Sequence, residues 1–119
     1  MKQTGIIVDD ATIMRKRLSD ILSTEFDIVG LAANGQEGIN LYTRYKPDFI
    51  TLDISMPEKD GISALREILN RFPEARVVMV SAVGQRQIVL EALGLGAKDF
   101  IIKPFEVDRV LKAITRLFE

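Results

Sequence analysis

Cysteine, histidine and tryptophan are all absent from the 119 residues. Without cysteine there are no disulfides, no thiolate metal site and no thiol nucleophile; without histidine the chain lacks the commonest zinc ligand and the commonest general base. Any chemistry must use carboxylates, hydroxyls or lysine. No apolar run approaches the roughly 18 residues that a membrane-spanning helix needs. The first ten residues hold two acids where a secretory leader would have a basic start and an apolar stretch. A cytoplasmic protein with no membrane attachment is therefore expected. An excess of one charge sign is also missing: 16 Lys+Arg against 17 Asp+Glu leave a net charge of -1. That balance offers no long basic field for nucleic acid or anionic lipid.

What is present describes a globular domain: 47% hydrophobic residues, 28% charged residues and a mean hydropathy of +0.12. No repeat, low-complexity tract or linker interrupts residues 1–119, so one domain is expected, with no output domain attached. The methionine at position 1 favours a whole chain over a piece of a longer one. Short apolar runs alternate with stretches of helical period, the pattern of a parallel sheet covered by helices on both faces. Strands are expected at residues 5–9, 27–32, 48–53, 76–81 and 99–103. The second, interrupted by Gly30, reads as an edge. Helical stripes lie between them: Met14, Leu18, Ile21 and Leu22; Gly38, Tyr42 and Tyr45; Ile62, Leu65, Leu69 and Phe72; Ile88, Val89, Ala92 and Leu93; and Val107, Val110, Leu111, Ile114 and Leu117. With right-handed crossovers these units give an α/β fold with a doubly wound, five-stranded parallel sheet, (βα)5 and flavodoxin-like; the commonest small version of that fold, expected here, has strand order 2-1-3-4-5.

In such a sheet the carboxyl ends of all strands share one rim, where ligands bind. Asp9 and Asp10 end the first strand, Asp53 the third, Ser81 the fourth and Lys103 the fifth. Singly, each has an ordinary explanation: Asp10 could cap the helix that follows, Ser81 could be a loop hydroxyl, and Lys103 a solvated strand end. Together they are harder to dismiss. Two like charges about 4 Å apart repel by about 4 kcal/mol at an effective dielectric near 20, so three clustered acids call for a cation. An all-oxygen set in an open crevice suits a hard ion that keeps several waters, Mg²⁺ above all, and Ca²⁺ less because no EF-hand pattern supplies its many ligands. A divalent ion beside a carboxylate, a lysine and a hydroxyl is also what phosphoryl transfer needs. A carboxylate accepts a phosphoryl group without a general base, because it is already ionised.

The segments IIVDDATIMR, TLDISMPEKDG, VSA at residues 80–82 and GAKDFIIKPF carry a specific likeness. The whole chain resembles the receiver domains of two-component response regulators, and within them the single-domain regulators of chemotaxis. The resemblance implies that Asp53 accepts a phosphoryl group from a sensor histidine kinase, with Mg²⁺ held by Asp9, Asp10, Asp53 and the backbone carbonyl of Ser55. Lys103 would neutralise the phosphoryl group, Ser81 would move to meet it, and Phe100 would turn inward behind Ser81. A cis bond between Lys103 and Pro104 would aim the lysine into the acids. The family pattern often has Asn at position 55 and Tyr at position 100, so Ser55 leaves the acyl-phosphate lifetime open and Phe100 has no hydroxyl to satisfy. Val83 occupies a variable site that tunes access to the phosphate.

An output surface is expected on the fourth helix, where Arg86 and Leu90 point away from the inward stripe, together with Phe100 and the last helix. The implied partners are a histidine kinase of the chemotaxis type, a flagellar motor switch protein or another output protein, and a phosphatase; the protein is expected to be a monomer. Other readings remain: a phosphorelay intermediate, the receiver of another pathway, a constitutive binding module, or a small Mg²⁺-dependent phosphatase. Against the phosphatase, position 55 is Ser where such enzymes place a second Asp, so no turnover of an external substrate is expected. A flavin binder is disfavoured because no Gly-rich phosphate loop follows the first strand.

Overall fold

The computed structural model describes residues 2–56 and 59–119. Pro57 and Glu58, within TLDISMPEKDG, lie outside the described residues, as does Met1. Five strands, β1 Thr4–Val8, β2 Asp27–Ala32, β3 Phe49–Asp53, β4 Val77–Ala82 and β5 Asp99–Lys103, alternate with α1 Thr12–Leu22, α2 Gly35–Tyr45, α3 Gly61–Arg71, α4 Arg86–Leu95 and α5 Val107–Thr115. A single 3₁₀ turn, Arg116–Phe118, follows α5. Every strand pairing is parallel, as the alternation of periods predicts, and the order is β2-β1-β3-β4-β5, that of the commonest small doubly wound sheet.

The period-2 alternation of side chains divides the core in two. Ile6, Val8, Ile50, Leu52, Val77 and Met79 face α2, α3 and α4, whereas Ile7, Phe49, Val78, Val80 and Ile101 face α1 and α5. Both sets are almost completely buried. β2 shows what an edge strand tolerates: Leu31 is exposed and only Ala32 is buried.

Helix starts follow local chemistry. Asn34 accepts from the Glu37 backbone N–H at 2.9 Å while the Glu37 carboxylate accepts from Ala33 N–H, a reciprocal capping box at α2. Asp60 accepts from Ser63 N–H at 2.8 Å and starts α3. Asp10 caps nothing: Ala11 is the N-cap residue of α1 and no side chain caps that helix.

Several details differ from the sequence expectation. β1 stops at Val8, leaving Asp9 just past the ladder, and β3 begins at Phe49; β4 runs from Val77 to Ala82. Tyr45 and Val107, read as core, are 44% and 47% exposed; they are the last residue of α2 and the first of α5. Tyr45 instead lies under the Arg44 guanidinium. In α3, Ala64 and Ile68 are fully buried, whereas Leu69 and Phe72 sit at the core margin.

Candidate functional site

The register of the central strands places the rim. Asp53 pairs with Val80 across β3 and β4, and Ser81 and Ala82 pair with Ile102 and Lys103 across β4 and β5. Asp9 follows β1 directly, its N–H donating to Ala32 O at 3.0 Å. Residues from four strands thus meet at one edge of the sheet.

Carboxylate oxygens of Asp9, Asp10 and Asp53 all lie within 4.8 Å of one another. Lys103 Nζ reaches into this cluster, 2.9 Å from Asp9 Oδ2 and 3.5 Å from Asp53 Oδ1, with its side chain 21% exposed. The Lys103–Pro104 peptide bond is cis. Asp9 is fully buried, and its second oxygen accepts from Ala11 N–H at 2.9 Å. Arg15 donates to the Asp9 carbonyl at 2.6 Å and so fixes the β1–α1 turn from the helix side. Asp10, by contrast, is exposed and presents its carboxylate freely to the crevice.

Burial pushes the Asp53 carboxyl up to about 6; the Asp9 charge pushes in the same direction and Lys103 only partly offsets both. Lys103 moves up despite its own burial, because hydrogen bonding and attraction from Asp9 and Asp53 outweigh desolvation. The cluster keeps a surplus of negative charge that one ammonium does not cancel. Three carboxylates within reach of one another, two of them with uncommitted oxygens, form an all-oxygen donor set that fits a hard divalent cation.

Ser81 is fully buried and its hydroxyl has no hydrogen-bond partner among the described residues. Ser55 sits on the exposed β3–α3 loop, where its hydroxyl accepts from Gln85 Nε2 at 2.9 Å. Phe100 is half-buried rather than enclosed, with the Arg109 guanidinium 5.9 Å from its ring centroid. It lines a largely apolar groove of about 330 Å³ between α4 and β5, with Ser81, Val83, Arg86, Leu90 and Ile102. Leu90 is 50% exposed and Val83 76%, and Arg86 is also open to solvent. The groove joins Ser81 at its inner end to Leu90 at its mouth.

Sequence reasoning overlooked two residues that shape this rim, Gln85 and Arg15. Neither matches a catalytic pattern, and the only local hint was Gly84, which marks a tight turn just before Gln85.

Comparisons with known proteins follow the same line. The family model described as "Response regulator receiver domain" matches residues 6–115. The chain is 49% identical to the chemotaxis protein CheY of Bacillus subtilis over 112 residues, covering 93% of each protein. It is 45% identical to CheY of Thermotoga maritima, covering 98% of each. Among solved structures, a chain in the CheX-CheY-BeF3-Mg complex of Borrelia burgdorferi superposes with a TM-score of 0.94 at 38% identity, covering 98% of this chain and 90% of that one. The response regulator domain of Thermotoga maritima CheB gives a TM-score of 0.87 at 34% identity, with 99% and 95% covered.

Proposed function

The chain belongs to the response regulator receiver family, and on that premise we propose that it is a phosphorylation-activated switch whose acceptor is Asp53. The observation that carries the assignment is the convergence of Asp53 with Asp9, Asp10 and Lys103, beside a buried Ser81 hydroxyl that no group among the described residues engages. Near pH 7.5 a carboxyl with a pKa of about 6 is almost wholly ionised, so Asp53 attacks as it stands. One carboxylate oxygen forms a bond to phosphorus as the bond from phosphorus to the donor nitrogen or oxygen breaks, and the electron pair leaves with the donor. Lys103 and the Ser81 hydroxyl donate to the phosphoryl oxygens, where charge spreads during transfer. Mg²⁺, held by Asp9, Asp10, Asp53 and the Ser55 carbonyl, would neutralise charge on those oxygens.

The phosphoryl donor is a histidine kinase, and hydrolysis of the acyl phosphate, unaided or assisted by a phosphatase, resets the switch. No external substrate is turned over. Position 55 offers a hydroxyl already bonded to Gln85, so the second carboxylate of an aspartate-dependent phosphatase is missing. The likeness to CheY proteins along nearly the whole chain favours a role in chemotaxis, with a flagellar motor switch protein reading the face formed by Arg86, Leu90 and Phe100. The groove supports that choice because it begins at Ser81, beside the acceptor, and opens at Leu90. No helix among the described residues is long and apolar enough to cross a membrane, which suits a diffusing cytoplasmic messenger.

Incubation with a small-molecule phosphodonor and Mg²⁺, followed by intact-mass measurement, tests this reading. The expected result is one added phosphoryl mass, acid-stable and base-labile, that is lost in Asp53→Asn. An adduct that persists in Asp53→Asn would move the acceptor elsewhere.

A further inference from the structure

Gln85 stands at the N-cap position of α4, yet its side chain caps nothing there. It turns back instead. Its Oε1 accepts from the Ala82 backbone N–H at 2.7 Å, and its Nε2 donates to Ser55 Oγ at 2.9 Å. The amide orientation is fixed by its partners, because a backbone N–H can only donate. Gly84, at φ 95, makes the reversal that brings Gln85 under Ala82. One neutral side chain therefore ties the β3–α3 loop, through Ser55, to the carboxyl end of β4, through Ala82.

We propose that Gln85 is a latch: it holds this loop and strand end in the arrangement of the unphosphorylated protein and opposes their closure onto a phosphoryl group at Asp53. This rests on Asp53 being the acceptor. A phosphoryl group brings anionic oxygens, which compete for N–H and O–H donors better than a neutral amide does. Ser81 Oγ is buried and uncommitted, and Ala82 N–H is the next donor along the chain, but that N–H is already engaged by Gln85. For Ser81 and Ala82 to advance together onto the new oxygens, the bond to Gln85 must break. An interaction made only in the unphosphorylated arrangement lowers the affinity for any group that requires the other one.

The test uses beryllofluoride as the phosphoryl mimic with Mg²⁺, titrated calorimetrically into the wild-type chain, Gln85→Ala, Gln85→Met, Ser55→Ala and the Gln85→Met/Ser55→Ala double variant. Removal of the latch is expected to tighten beryllofluoride binding about fivefold, the worth of one net hydrogen bond. The affinity of Gln85→Met for Mg²⁺ alone stays unchanged, because the three carboxylates and Ser55 are untouched in that variant. Ser55→Ala gives a smaller gain, and the double variant binds no more tightly than Gln85→Met, since both changes open one latch. Gln85→Met keeps the side-chain length, so a loss of folding in Gln85→Ala leaves the comparison intact. Unchanged or weaker binding in Gln85→Met would overturn the latch, as would fully additive effects of the two substitutions. Failure of the wild-type chain to bind the mimic, or equal binding by Asp53→Asn, would overturn the phosphoryl-acceptor reading and the latch with it.

Discussion

At the scale of single residues, the rim is held against electrostatic preference. The Asp53 carboxyl, raised from 3.8 to about 6, binds a proton more readily in the folded chain than in the unfolded one. Between about pH 4 and pH 6 the folded state therefore carries more protons, and without divalent metal its stability falls as pH rises through that window. Asp53→Asn removes the buried charge. It should raise metal-free stability at pH 7.5 by up to about 3 kcal/mol, read as a higher urea midpoint, with little gain at pH 4. An equal gain at both pH values would show that charge is not the cause. Lys103 behaves in the opposite sense, since it spends its ammonium on Asp9 and Asp53. Lys103→Met should tighten Mg²⁺ binding about tenfold, equivalent to 1.4 kcal/mol, while slowing phosphoryl uptake from a small donor. Calorimetry and intact-mass time courses separate the two effects.

At the scale of elements, two glycines that look alike in the sequence differ in surroundings. Gly35 opens α2 against the β3–α3 loop, with its N–H donating to Lys59 O at 3.1 Å, and a methyl group there would collide with that carbonyl. Gly94 lies inside α4 with nothing near the place a methyl group would occupy. Gly35→Ala should destabilise by about 1–3 kcal/mol through overpacking and disturb phosphoryl uptake. Gly94→Ala should stabilise by about 0.5–1 kcal/mol by favouring the helix. Urea midpoints of the two variants decide the matter. The contrast also marks what could be read in advance. The strands were legible because Ile, Val, Leu and Phe run almost unbroken through β1, β3 and β4, which only burial on both faces explains. Exposure at helix ends was not legible, because Tyr45 and Val107 keep the helical spacing of a core stripe although each is the terminal residue of its helix and is exposed.

At the scale of the whole molecule, Ser81, Phe100 and Leu90 line one largely apolar groove between α4 and β5, so the buried hydroxyl and the candidate output face share it. Leu90→Ala should leave the proposed phosphorylation of Asp53 unchanged and weaken binding of the phosphorylated protein to the proposed output partner, a flagellar motor switch protein; equal binding would remove Leu90 from that surface. The acids, Ser81 and Lys103 could be placed on a common rim from strand ends alone. Gln85 could not, because a neutral amide acquires its role from the closeness of two loops 30 positions apart in sequence and not from any local pattern. β5 carries both Lys103 and Phe100, and among the described residues it pairs with one strand only, β4. A displacement begun at the lysine can therefore reach the aromatic without tearing a ladder on the outer flank. A signal taking that route would cross the border strand, the part of the sheet with the fewest neighbours to persuade.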